Sequence, residues 1–140
     1  MIPDFELNGD LPEGIHNASL KEFKKKFVFN EKREILFEGL IILIKDLKKA
    51  NCKIIFVNGS FVTNKDNPND YDLCWDTNGI DYDKLSEELI NYKKNREKMK
   101  EKYKGDIFPC DSKIRNSTFF KFFQTNKFTG NKKGIVKILI

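Results

Sequence analysis

The chain has 140 residues, 39% hydrophobic and 34% charged, which suits one soluble domain over residues 1–140 with its own core and excludes a disordered chain. The longest apolar run, GLIILI at 39–44, is far too short to cross a bilayer, and MIPDFELNGD lacks the basic-then-apolar order of a secretory signal, so a cytoplasmic protein with no membrane partner is expected. The net charge of +5 is carried almost wholly by lysine, with arginine only at 33, 96 and 115; this surface favours anionic partners such as nucleotides or RNA, although abundant Lys, Asn and Ile are also what an AT-rich genome encodes.

Residues 1–18 read as irregular, with Gly9, Pro12 and Gly14 breaking any period. ASLKEFKKKF opens with Ser19 and carries Glu22 three residues later, the pattern of a capping box, and predicts a short helix. Asn30 then caps EKREILFEGLIILIKDLKKA, where Ile35, Leu36, Leu40, Leu43, Ile44 and Leu47 recur at helical spacing and predict a long core helix. CKIIFV at 52–57 and YDLCW at 71–75 are short apolar runs separated by loop residues and predict buried strands. Residues 81–103 predict one or two helices with Leu85, Leu89 and Ile90 inside and many lysines outside. GDIFPC at 105–110 predicts a third strand, with Pro109 at an edge or at its end. STFFKFFQTN predicts a helix whose Phe119, Phe120, Phe122 and Phe123 fill the core, and KKGIVKILI a last strand. The expected class is α+β: a mixed sheet of about four strands with flanking helices. Cys52, Cys74 and Cys110 are odd in number and lack CxxC spacing, so buried free thiols are expected rather than disulfides or a zinc site.

The stretch VNGSFVTNKDNPNDYDLCWD, residues 57–76, carries the chemistry. Asp70 and Asp72 are spaced to share one side of an extended chain. Two carboxylates so placed repel, and a cation between them relieves the repulsion. Few, hard oxygen ligands that leave room for water and phosphate suit Mg²⁺ or Mn²⁺. Gly59 lets backbone approach a ligand closely, and Ser60 adds a hydroxyl and, at the start of a helical turn, free N–H groups for phosphate oxygens. A nucleoside triphosphate with its metal needs both halves. The alternative is that Asp70 and Asp72 merely finish an Asn-Pro-Asn-Asp turn.

NGSFVTNKDNPNDYDL resembles the Gly-Ser, spacer, Asp-x-Asp signature of the DNA polymerase β-like nucleotidyltransferase superfamily, and is especially similar to its minimal bacterial members. LPEGIHNASLKEFKKKF and KGIVKI extend the resemblance, to a small bacterial group, over nearly the whole chain. The resemblance implies a polymerase β palm-like fold in which Asp70 and Asp72 bridge two metal ions and a third carboxylate, Asp106, binds the catalytic one and helps deprotonate the attacking hydroxyl. Asp111, just beyond Pro109, is the other candidate for the third position. The implied activity is metal-dependent transfer of a nucleoside monophosphate from an NTP such as ATP to a hydroxyl of a protein, tRNA or small molecule, in a toxin–antitoxin or phage-defence setting with a protein partner. The chain lacks a long extra domain to grip an acceptor, so an inert nucleotidyltransferase-fold module, an antitoxin or regulatory subunit, is the alternative.

Lys65, between Ser60 and Asp70, is placed to neutralise triphosphate charge; Arg115, Lys132 and Lys133 are further candidates, and none is singled out by spacing. His16, the one histidine, reads as a structural residue, with a catalytic or nucleotide-contacting role as the alternative. KKK at 24–26 and YKKNREKMKEKYK read as solvated helix faces, with an RNA-binding surface as the sharper alternative.

Overall fold

A computed structural model describes residues 1–114, 125, 130 and 132–140. Strand β1 (Gly14–Ala18) is followed by helices α1 (Leu20–Phe27) and α2 (Glu31–Lys49), strands β2 (Ile54–Asn58) and β3 (Tyr71–Asp76), helices α3 (Glu87–Ile90) and α4 (Arg96–Tyr103), and strands β4 (Gly105–Cys110) and β5 (Gly134–Leu139). Single 3₁₀ turns cover Ser60–Val62 and Tyr82–Lys84. The class is mixed α+β, as the sequence implies, with five strands among the described residues rather than about four. The extra strand, β1, lies in the segment read as irregular. It runs along the edge of the sheet parallel to β5, 120 residues away in the chain, with Gly14 opposite Gly134.

The strand order is β1-β5-β2-β3-β4. β2 is antiparallel to both β5 and β3, while β4 runs parallel to β3. Pro109 is therefore on an edge strand, where its missing N–H costs no ladder bond.

Both helix starts are fixed by the residues the sequence marks. Ser19 accepts from the Glu22 N–H at 3.1 Å, and the Glu22 carboxylate receives the Ser19 N–H, a complete capping box. Asn30 Oδ1 accepts from Arg33 N at 2.9 Å at the head of α2. The buried stripe of α2 comprises Arg33, Leu36, Phe37, Leu40, Leu43, Ile44 and Leu47. Ile35, expected inside, is 46% exposed because it sits about 100° around the helix from Leu36. Ile90 is likewise exposed, at the last residue of the four-residue α3, whereas Leu85 and Leu89 are buried.

Every described helix sends its buried apolar side chains to one face of the sheet, where they meet Ile55, Val57, Leu73, Trp75, Ile107, Val136 and Ile138. On the opposite face a smaller cluster joins Phe56, Cys74, Cys110 and Ile135. The three thiols are buried and free, as expected. Burial raises the Cys52 thiol to about 11 and pushes Cys74 higher still, so neither is a thiolate at neutral pH. The helix expected over STFFKFFQTN, with Phe119, Phe120, Phe122 and Phe123, and Arg115 lie outside the described residues; Thr125 forms an antiparallel bridge with Lys132. Among the described residues no helix is long and apolar enough to cross a membrane.

Candidate functional site

Alternation along β3 splits its side chains between the two faces: Tyr71, Leu73 and Trp75 enter the helix-covered core, while Asp72, Cys74 and Asp76 take the other side. Asp72 is paired in register with Asp106 on the adjacent parallel strand β4, and with Asn58 on β2. Register partners point to the same face, so Asp72 and Asp106 stand side by side about one strand spacing, ~4.8 Å, apart. Asp70, just before β3, has its carboxylate 3.6 Å from Lys100 Nζ, and the same ammonium lies 3.5 Å from Asp106 Oδ2. Arg96 Nη2 donates to Asp106 Oδ1 at 3.2 Å. Asp70, Asp72 and Asp106 are thus gathered at the N-terminal ends of β3 and β4. Asp111 is not with them. It lies past the far end of β4, where its carboxylate accepts from Asn78 Nδ2 at 2.8 Å and from Lys113 N at 2.9 Å, contacts that hold its pKa below the usual carboxylate range.

Two glycines make this arrangement fit. Gly59 has φ +80° and ψ −166°, a conformation essentially confined to glycine. A Cβ there would collide with Asp72 Oδ2 and sit 3.0 Å from Asp72 Cγ. The carboxylate of Asp72 therefore lies directly against the Gly59–Ser60 backbone, which joins the two halves of the signature. Gly105 follows Lys104, whose left-handed conformation ends α4. A Cβ on Gly105 would fall 2.6 Å from Tyr71 Cζ. The missing side chain lets β4 begin beneath the Tyr71 ring and brings Asp106 level with Asp72. Tyr71 is locked in turn by its hydroxyl, which donates to Tyr103 O at 2.7 Å; burial raises its pKa far above the usual value, so it remains a neutral donor.

Arg33 holds the Gly-Ser loop from behind. Its guanidinium is fully buried and donates to the carbonyls of Phe27 (2.9 Å), Phe61 (2.6 Å), Ser60 (3.4 Å), Thr63 (2.9 Å) and Lys65 (2.6 Å from Nη2, 3.1 Å from Nε). Burial lowers its pKa to about 10, with Asp66 pulling the other way, so it stays charged at neutral pH. The carbonyls of residues 60, 61, 63 and 65 turn inward onto this one cation. Thr63 Oγ1 adds a bond to Ser60 O at 2.6 Å. Lys65 is exposed, with its carbonyl fixed by Arg33. Sequence reasoning missed Arg33, yet a signal was present: a charged residue on the same helical stripe as Leu36, Leu40, Ile44 and Leu47.

The other candidates lie elsewhere. His16 is on β1, three strands away from β3, with its Nε2 2.7 Å from Pro12 O, a structural role. Lys132 pairs with Glu13 at 3.5 Å.

A divalent metal matches the chemistry of this donor set: three hard carboxylate oxygens on one sheet end, with two of them on neighbouring strands. Among the described residues no three acidic, histidine or cysteine side chains already converge as a metal cage; cations from α4 hold Asp70 and Asp106 instead. Beside them Asn58, 1% exposed and opposite Asp72, carries an Nδ2 with no hydrogen-bond partner among the described residues. A buried amide donor without an acceptor is costly, and marks a place where an acceptor from outside would be welcome.

A model described as a family of unknown function, DUF6932, matches residues 3–139. The chain belongs to this family. The match takes in β1, the Gly59–Ser60 loop, all three aspartates and the whole of β5. No curated protein and no solved structure matches the chain.

Proposed function

We propose that this DUF6932 protein is a metal-dependent nucleotidyltransferase that moves a nucleoside monophosphate from an NTP to a hydroxyl on a protein, tRNA or small molecule. One observation carries the reading: Asp72 is register-paired with Asp106, shares a sheet end with Asp70, and presses against Gly59–Ser60. A carboxylate trio directly beside a glycine-opened backbone is what a phosphate-bound divalent cation requires on its protein side.

In this reading Asp70, Asp72 and Asp106 would hold Mg²⁺ or Mn²⁺, which supplies Lewis acidity to the phosphoryl oxygens. Gly59 and Ser60 contact the β- and γ-phosphates, and Lys65 is a further candidate there. Asp106 takes the proton of the attacking hydroxyl as its oxygen bonds the α-phosphorus. The α–β phosphoanhydride then breaks and pyrophosphate leaves. The polymerase β-like fold, the cytoplasmic setting and a protein partner in a toxin–antitoxin or phage-defence module belong to the same proposal. Incubation with α-³²P-labelled NTPs and cell lysate tests it. The wild type should label an acceptor, and Asp70→Asn, Asp72→Asn and Asp106→Asn should each lose the label while keeping the fold. Label persisting in all three refutes the site.

A second reading has its own observation. Arg96 and Lys100 already neutralise Asp106 and Asp70, as they would in an inert module that no longer needs a metal. A melting-temperature titration separates the two: Mg-ATP or Mg-GTP at a hundredfold over Kd adds about 2.7 kcal/mol of stability to a nucleotide-binding protein, and an inert module shows no shift with any NTP.

A further inference from the structure

We propose that Arg96 and Lys100 are the triphosphate-binding cations of this site, held on Asp106 and Asp70 as exchangeable counter-ions until metal and nucleotide arrive together. This rests on the nucleotidyltransferase reading and assigns it residues that its sequence signature does not contain.

The placement follows from helix geometry. On α4, Met99 and Tyr103 are four residues apart, buried, and fix the helix on the core. Arg96 and Lys100, also four apart, form the neighbouring stripe, which overhangs the start of β4. The turn at Lys104–Gly105 then returns the chain directly to Asp106, only six residues after Lys100. The two cations are therefore built against the carboxylates by the shortest connection in this half of the fold.

The side chains are held loosely enough to exchange. Arg96 is 54% exposed and Lys100 48%, against 15% for Asp106. Ion pairs this open to water are weak and salt-screened. A divalent cation on Asp70, Asp72 and Asp106 meets the same carboxylate oxygens with twice the charge, and displaces the ammonium and guanidinium from them. The released groups stay tethered to α4 within one side-chain length of the site. They then face the anionic oxygens that accompany the metal, and Arg96 offers the forked donor pattern suited to phosphate. The Nδ2 of Asn58, on the far side of Asp72 from β4 and without a partner among the described residues, independently points to this spot as short of an acceptor. A triphosphate spanning from Gly59–Ser60 toward α4 supplies one.

The exchange predicts effects of opposite sign on two ligands. Mn²⁺ binding without nucleotide is read from the EPR signal of the free ion; nucleotide binding is read from a fluorescent ATP analogue at saturating Mg²⁺. Removing a competing cation should tighten Mn²⁺ about two- to fivefold in Arg96→Met and in Lys100→Met. Losing a charged phosphate contact should weaken the nucleotide about tenfold or more in the same proteins. Lys100→Arg should recover most of the nucleotide affinity, and unchanged melting temperatures show that the fold is kept. Variants whose Mn²⁺ affinity is unchanged or weaker, or whose nucleotide affinity is unchanged, overturn the exchange while leaving the underlying reading intact. A wild type that binds no Mn²⁺, or an Asp72→Asn that binds it equally well, overturns that reading and this inference together.

Discussion

Gly59→Ala tests whether the Gly-Ser backbone and Asp72 form one unit. Two costs add. The backbone at φ +80° and ψ −166° is strained for any residue with a Cβ, by about 1–3 kcal/mol. The new methyl also strikes the Asp72 carboxylate, whose Oδ2 and Cγ lie closest to it. The carboxylate is the free end of a side chain, so it turns away into a poorer rotamer at about 0.5–1.5 kcal/mol. The total is about 1.5–4.5 kcal/mol, a fall in Tm on the order of 10 °C for a chain of this size. Urea denaturation of four proteins forms the assay: wild type, Gly59→Ala, Asp72→Ala and the double variant. In the Asp72→Ala background the collision with the carboxylate is gone and the backbone strain remains, so Gly59→Ala should cost about 1 kcal/mol less there. A Gly59→Ala protein within about 0.5 kcal/mol of wild type, or one with equal cost in both backgrounds, refutes the reasoning.

Arg33→Met should destabilise by about 3–5 kcal/mol, because several inward-turned carbonyls of residues 27 and 60–65 lose their shared donor; a loss under 1 kcal/mol in urea denaturation would mean that water replaces the guanidinium freely. Gly105→Ala should push the start of β4 off the Tyr71 ring, lowering Tm and shifting the amide resonances of Asp106 and Asp72; unperturbed resonances at both would show that the close approach does not set their alignment. Asn78→Ala should raise the Asp111 pKa toward the ordinary carboxylate value in carbon-detected NMR. Because that pKa is depressed in the folded protein, its share of stability is present above the unfolded value and disappears as pH falls through the folded one, so the variant should show a shallower acid-side decline. An Asp111 pKa unmoved by the substitution contradicts the assignment.

The parts of the fold set by local chemistry were readable in advance. Ser19 with Glu22, and Asn30, announce the two helix starts, and the runs at 52–57, 71–75 and 105–110 become β2, β3 and β4 within two residues. β1 escaped because Gly-Ile-His-Asn-Ala is short and half polar, and its strand partner β5 is at the other end of the chain. Ile35 was misplaced by counting apolar residues without fixing the helical angle. Within the site, Asp70 and Asp72 carried their own spacing, whereas Asp106 was marked by the family resemblance alone, with Asp111 as its rival. Their alignment did not, since register across β3 and β4 depends on Gly105 and the Tyr71 ring. Arg96 and Lys100 were hidden in a helix where nearly every residue is charged: only the burial of Met99 and Tyr103 determines which two cations turn toward the aspartates.

The most direct test of the metal site is anomalous diffraction from a crystal soaked in Mn²⁺ with a non-hydrolysable NTP. The account predicts a Mn²⁺ peak about 2.0–2.3 Å from carboxylate oxygens of Asp72 and Asp106, with Lys100 swung off Asp106. A map with no such peak, and with Arg96 and Lys100 still seated on the carboxylates, would contradict it.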